Sequence, residues 1–373
     1  MSQKVPMNSM AQAQQSLFNM LPDAPCMRKI LAMPKVDLHR HLTGSIDPDM
    51  AIRVAVKHGV ELPAYVVADL QKELYPSARI EGLKDYFDPW WKILNRLFVS
   101  RDSTHDIVLE VIRKAAQDNL AYLELRMGPY GFLGNGPLRF EDFLDGVAAA
   151  VREANLSHDM VTRCILGIPR HVFAQQPNRD GMLALIVSML SPLFPDCFVG
   201  VDLNGVENGT GDLQGFDSFF RMAAKRGFGV TVHAGECGPA ANVRYAVEHL
   251  GAKRIGHGLA ALADESLLRE LSAQGCALEI CPTSNMIVNL ISRPTDLHLE
   301  RLKDLEVPFA ICTDNPARNE ASLSEELFKL VKPFSLSLAD IKGIIYSSLE
   351  HCFADGHTKG IVKLKLDGFA WGE

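Results

Sequence analysis

Four short runs of the chain carry side chains able to do hydrolytic chemistry: His39-Arg-His41, His233-Ala-Gly-Glu236, Gly256-His257-Gly258 and Thr313-Asp314-Asn315. Alternate residues on a strand point to one side, so His39 and His41 could offer two imidazoles to one cation. Taken alone, such a pair reads more readily as two surface-exposed or hydrogen-bonded histidines. Adding His233 and Asp314 gives three nitrogens and one carboxylate oxygen, a set that suits one Zn²⁺ with a further position for water. Zinc lowers the pKa of a water it binds toward ~7 and so supplies hydroxide at neutral pH.

Glu236 lies three residues past His233, on the loop expected after a strand, where it can serve as a general acid beside the metal; the alternative is a carboxylate set against a helix N-terminus. His257, between two glycines, can accept a proton from the water or hold it in place; the alternative is a satisfied core histidine. Two other motifs lead elsewhere. Gly256-His-Gly-Leu-Ala-Ala261 satisfies the G-x-G-x-x-A dinucleotide fingerprint, with Glu279 at the ribose-binding distance. It falls at the sixth of eight strand-like runs rather than at the opening of a nucleotide domain, and it leaves the four candidate ligands unexplained. His298-Leu-Glu300 has the H-x-E spacing of the cytidine-type deaminases without their P-C-x-x-C partner.

The elements that must position these groups are eight short apolar runs: Lys35 to His39, Tyr122 to Arg126, Arg163 to Ile168, Phe198 to Asp202, Gly229 to His233, Arg254 to His257, Ala277 to Cys281 and Phe309 to Thr313. Amphipathic segments such as Ile107 to Asn119 and Leu267 to Gln274 lie between them, long enough to return the chain for a parallel neighbour. The expectation is an α/β fold, a (β/α)8 TIM barrel over 34–373 with a helical insertion after the first strand. That insertion reads as helices near Asp49 to Lys57, Ala64 to Leu74 and Leu83 to Leu97, and a cap at about 45–105 could form over the barrel mouth. Active sites of such barrels lie at the C-terminal strand ends, where the polar runs fall. The fourth run continues Asp202-Leu-Asn-Gly205, with no lysine to bridge a metal pair, so one metal is expected rather than two.

Composition narrows the classes. The chain has 373 residues, 47% hydrophobic and 22% charged, as in a globular protein. Its net charge of −7 comes with no basic stripe, which argues against nucleic acid as a partner. Apolar stretches such as Leu183 to Leu190 fall short of the ~18–20 residues of a membrane span, so no membrane is expected. The first 25 residues have no basic segment leading into an apolar core, so no secretory signal is read there, and 1–33 is expected to be a mobile N-terminal extension. Eight dispersed cysteines suit free thiols in a reducing compartment and hence a cytoplasmic location. The sequons at Asn155 and Asn208 carry no weight without secretion. The oligomeric state is not set by any of these features.

Five segments in order, Val36-Asp-Leu-His39-Arg-His41-Leu-Thr-Gly44, His233-Ala-Gly-Glu236, Gly256-His257-Gly258, Cys281-Pro-Thr-Ser-Asn285 and Thr313-Asp-Asn-Pro316, resemble the adenosine deaminase family. The resemblance runs from about Pro34 to beyond Phe353. It implies that His39, His41, His233 and Asp314 hold one zinc, that Glu236 protonates ring N1, and that His257 orients and deprotonates the attacking water. The implied reaction is attack on C6 of a 6-aminopurine, a tetrahedral intermediate, and loss of ammonia to leave the 6-oxo product. His41, Thr43, Gly205 and Asn315 are the implied substrate contacts, Gly205 through its backbone on the far side of the purine.

Two positions depart from the family's pattern. Asn315 stands where a second aspartate commonly bonds the imidazole part of the purine; an amide can still donate there from its NH₂. Thr43 stands where adenosine-specific members carry Asp against the ribose 5′-hydroxyl and adenine-type members carry Glu. The resemblance as a whole implies adenosine or a close nucleoside, converted to inosine and ammonia. Adenine, 6-aminodeoxyfutalosine, another amide or amine substrate of a mononuclear-metal hydrolase, and a purine-binding protein without turnover are the alternatives.

Overall fold

The computed structural model describes residues 25–75, 83–132 and 136–371. Eight parallel strands follow one another in chain order around a single sheet: β1 Lys35–His41, β2 Leu120–Met127, β3 Val161–Pro169, β4 Phe198–Asn204, β5 Gly229–Ala234, β6 Arg254–His257, β7 Ala277–Ile280 and β8 Phe309–Ile311. A parallel bridge between Arg40 and Asp314 joins the two ends of the sheet. There the Asp314 N–H donates to the His39 carbonyl and the His41 N–H donates to the Asp314 carbonyl, each at 2.7 Å. The fold is therefore the expected (β/α)8 barrel.

Each expected run coincides with a strand. β7 and β8 end before Cys281 and Thr313, because Pro282 opens the helix Pro282–Ile287 and Asp314 turns the chain with φ of 59°. These polar strand ends thus sit on mouth loops rather than in the ladder.

The strands are buried on both faces, as a parallel sheet under helices must be, and the helices show why they cover it. In Arg101–Gln117, Ile107, Val108, Val111, Ile112 and Ala115 form one buried stripe. Ser100 caps that helix by accepting from the Ser103 N–H, and Ser103 returns the bond.

Between β1 and β2 lie the helices Pro48–His58, Val67–Leu74, Leu83–Leu94 and Arg101–Gln117. The second starts later than the Ala64 expected. The Tyr65 hydroxyl, bonded to the Val60 carbonyl and the Leu62 N–H, holds the preceding residues in a loop. The third ends at Leu94 and passes into a 3₁₀ turn over Asn95–Leu97. Its Trp90 is buried and donates from the indole to the Thr43 carbonyl at 2.8 Å, tying the insertion to the loop after β1.

Of the extension expected over 1–33, residues 1–24 lie outside the described residues. Pro25–Ala32 form a helix, and Ile30 and Met33 are fully buried. The buried Lys35 ammonium takes the carbonyls of Ile30, Leu31 and Met33 at 3.1, 3.3 and 2.7 Å. This stretch is therefore anchored at the barrel floor, which corrects the expectation of mobility for residues 25–33. Among the described residues no helix is long and apolar enough to cross a membrane. All eight cysteines are free.

Candidate active site

The site is built from the barrel interior upward. Inside the barrel, Glu124 and Arg126 of β2, Asp202 of β4, Arg254 of β6 and Glu279 of β7 are all fully buried. Arg254 pairs with Glu124 and, from Nε at 2.7 Å, with Glu279 Oε1. Arg126 bridges Asp202 Oδ2 at 3.1 Å and Glu279 Oε2. Burial pushes both carboxyls toward the neutral form, but Arg126 and Arg254 at Glu279, and His233 and Arg126 at Asp202, outweigh it and hold both pKa values well below the usual range.

Those two carboxylates orient two histidines. His39 Nδ1 lies 2.9 Å from Glu279 Oε2, and His233 Nδ1 lies 3.0 Å from Asp202 Oδ1. With each Nδ1 proton given to a carboxylate, each Nε2 turns its lone pair toward the mouth. There the Nε2 atoms of His39 and His41 are 3.2 Å apart, and those of His41 and His233 are 3.3 Å apart. Asp314 Oδ1 lies 3.6 Å from the first and 3.3 Å from the second. Its other oxygen accepts from the Ser284 hydroxyl.

Burial holds the His41 and His233 pKa values below the imidazole range, which leaves their lone pairs free. At His39, burial and Arg126 are outweighed by the Asp314 and Glu279 carboxylates, which raise the pKa. Neutral imidazole lone pairs facing one another at hydrogen-bond distance do not satisfy each other, and a cation among them would. Three oriented nitrogens and one carboxylate oxygen, backed by carboxylates, fit Zn²⁺. A second grouping, His39 with His257 and Cys281, is also close enough for a metal. Burial pushes the Cys281 thiol well up, and its Sγ donates to the Glu279 carbonyl at 3.6 Å.

Glu236 and His257 face this centre. Burial, then the nearby Asp314 and Glu207 carboxylates, push the Glu236 pKa up to about 8, so the group carries its proton at neutral pH. Its Oε1 lies 3.6 Å from His257 Nε2. Burial pushes His257 down to about 3, leaving it a neutral imidazole. Asn285 Nδ2 lies 3.0 Å from His257 Nδ1, while Asn285 Oδ1 has no hydrogen-bond partner among the described residues. Turned about, the amide would accept from Nδ1–H and leave Nε2 as the basic nitrogen. His257 and Asp314 both adopt the left-handed region, at φ of 62° and 59°. Such strain in non-glycine residues gathers where a site demands it.

These groups line one end of a cavity of about 470 Å³. Thr43, Gly205 and Asn315 line it too, as do Trp91, Phe98, Met127, Tyr130 and Leu138. Gly205 has φ of 91°, and a Cβ there would meet His171 Nδ1 at 2.9 Å. Asn315 is 3% exposed and its Nδ2 has no hydrogen-bond partner among the described residues. Thr43 Oγ1 lies 3.5 Å from the Tyr130 hydroxyl, and the Tyr130 and Phe98 rings stack at 4.2 Å.

Eight of the nine residues singled out in the sequence thus line one cavity, and the ninth, His39, is fully buried just beneath it against His41. Several others were not foreseen. Glu279, fully buried in the ion network, cannot meet a ribose, which disposes of the dinucleotide reading. Its signal was an acid amid the apolar Ala277–Ile280. Glu207, which organises the loop carrying Glu236, had no signal beyond its place shortly after a strand.

The adenosine deaminase sequence profile matches residues 34–367. The chain is 29% identical over 341 residues to an adenosine deaminase of Clostridium perfringens, covering 90% of this chain and 99% of the relative. It is 30% identical over 343 residues to an adenine deaminase of Rhodopseudomonas palustris, covering 91% and 95%. Its fold matches an amidohydrolase of Burkholderia ambifaria solved with bound zinc, with a TM-score of 0.77, 24% identity, and 94% and 93% of the two chains covered.

Proposed function

The chain belongs to the adenosine deaminase family, and from that premise we propose that it hydrolyses the 6-amino group of adenosine or a close 6-aminopurine nucleoside, releasing ammonia and leaving the 6-oxo purine. The observation that carries the reading is the meeting, in one cavity, of the four-ligand set with a protonated carboxyl and a neutral imidazole. A purine-binding protein without turnover would need neither of the last two.

His39, His41, His233 and Asp314 would hold one zinc, in keeping with the donor set and with the zinc-bound structural relative. When bound, the ion acidifies water and stabilises developing oxyanion charge. Glu236 gives its proton to ring N1, which draws electrons from C6 and opens that carbon to attack. His257 orients the attacking water and accepts its proton, and the proton then leaves with the departing amine. Asn315 Nδ2, without a hydrogen-bond partner among the described residues, donates to an acceptor nitrogen on the imidazole side of the purine. Gly205 brings its backbone close to the ring where a side chain would collide.

The rest of the cavity supports a nucleoside over a free base. Beyond the polar end runs an aromatic and apolar wall of Trp91, Phe98, Tyr130 and Leu138, with the Thr43 hydroxyl at its edge. A sugar and its 5′ end have room there that adenine alone would leave to water. The test is the change in ultraviolet absorbance of adenosine with zinc-loaded protein, beside adenine and a 5′-substituted adenosine. Turnover of a nucleoside is expected. Turnover of adenine alone would overturn the nucleoside assignment, and ammonia from none of the three would overturn the reading itself.

A further inference from the structure

We propose that Glu207 is a positioning residue for catalysis: its carboxylate is a built-in anion around which the loop bearing Glu236 is folded, and it acts on turnover through Glu236. The inference rests on the reading of Glu236 as the acid.

Glu207 follows β4 and is 7% exposed. Its Oε1 accepts from the Gly235 N–H at 3.0 Å and from Asn242 Nδ2 at 2.8 Å. Its Oε2 accepts from the N–H groups of Glu236, Cys237 and Gly238 at 2.8, 3.2 and 2.9 Å. Four consecutive backbone amides converging on one anion form a nest, the arrangement by which loops capture phosphates and other anions. Here the anion belongs to the protein, and the donors include the amide of Glu236 itself.

The sequence of the loop is shaped to this carboxylate. Gly235 has φ of 66°, and a Cβ there would meet Val243 Cγ2 at 2.6 Å. A Cβ on Gly238 would lie 2.4 Å from Glu207 Oε1. Both glycines of His-Ala-Gly-Glu-Cys-Gly are therefore needed, one for the turn and one for the approach of the carboxylate.

A neutral side chain could close a loop, but a carboxylate does two further things. It fixes the backbone from which the Glu236 side chain springs, so that the acid points at the cavity rather than swinging between rotamers. It also adds negative charge beside an acid already buried near Asp314, which favours the proton-bearing form. The other groups around that acid are His257, His39 and Arg170, and the two cations among the possible charges oppose this effect.

The test is a double-mutant cycle on the zinc-loaded full chain, with kcat and KM measured on whichever 6-aminopurine the wild type turns over. Glu207→Gln keeps the shape but turns an NH₂ toward the backbone donors. It is expected to lower kcat on the order of 10- to 100-fold with KM and bound zinc nearly unchanged, as a misplacement of about 1 Å would. In a Glu236→Gln background the same change is expected to add little to the loss, because its target is gone. Asn242→Ala, which removes one of the five donors, is expected to lower kcat several-fold and serves if Glu207→Gln does not fold. A wild-type kcat in Glu207→Gln, or an equal loss in both backgrounds, would overturn the proposal. A wild type that turns over while Glu236→Gln is equally active would instead remove the reading of Glu236 as the acid, and with it the basis of this one.

Discussion

The barrel interior and the barrel mouth are built from the same kinds of residue, yet they solve opposite problems. Inside, the oxygens of Asp202 and Glu279 each meet a guanidinium, a hydroxyl or an imidazole, so that each charge is paired within a few ångströms. At the mouth, three imidazole nitrogens and a carboxylate oxygen crowd together with lone pairs facing one another. In the first arrangement every carboxylate oxygen of Asp202 and Glu279 has a partner, and in the second the facing nitrogens are satisfied only by a cation. What joins them is Arg126, which holds the two carboxylates that in turn orient His39 and His233. The comparison teaches that the buried ion network is a foundation for the mouth, since a hydrophobic filling of the same volume could not direct two Nε2 lone pairs outward.

The largest effects should come from breaking the mouth while leaving the interior whole. His233→Ala or Asp314→Ala is expected to abolish zinc binding and lower turnover at least about 1000-fold, several kcal/mol of transition-state stabilisation, with a near-normal melting temperature. Metal analysis, ammonia release and thermal unfolding check this together. Retained zinc in either variant would break the comparison at its upper half.

Glu236→Gln should lower kcat on the order of 10²- to 10⁴-fold with zinc retained. The same residue sets a pH dependence whose sign is fixed. Its pKa is raised to about 8 and its protonated form is the working acid, so kcat/KM should fall as pH rises through about 8, and that limb should vanish in Glu236→Gln. A rate that rises across this window would contradict the assignment.

Breaking the interior should cost stability and metal together. Arg126→Met leaves Asp202 and Glu279 buried without their shared cation, and is expected to destabilise the fold by about 3–5 kcal/mol. Zinc affinity should fall on the order of 10- to 100-fold, read by competition with a chelator. A stable variant with unchanged zinc affinity would sever the two regions. The smallest effect belongs to Trp90→Phe. It removes one of two donors to the buried Thr43 carbonyl, which keeps the Ile46 N–H at 3.2 Å, and should cost about 1 kcal/mol in chemical denaturation.

The barrel was legible in the sequence because its signals are local. Eight apolar runs, four of them ending in His or Asp, need no partner to be seen, and the alternation of His39 and His41 puts both on one side of β1. The four candidate ligands could be grouped for the same reason, as each closes such a run or lies within two residues of its end. What escaped was set by contacts between residues far apart in the chain. Glu279 is an ordinary acid until Arg254 and Arg126 are placed beside it, 25 and 153 residues away. Glu207 gains its meaning from amides about 30 residues on. The late start of the helix at Val67 turned on a tyrosine hydroxyl reaching back to Val60, which no periodicity records.

The central claim, that the mouth binds a metal in order to deaminate a 6-aminopurine, is tested most directly by ammonia release from adenosine and related nucleosides before and after metal removal. Dialysis against a chelator should abolish release, and one equivalent of zinc per chain should restore it. Deamination that survives complete metal removal, or zinc-loaded protein that releases ammonia from no 6-aminopurine, would contradict it.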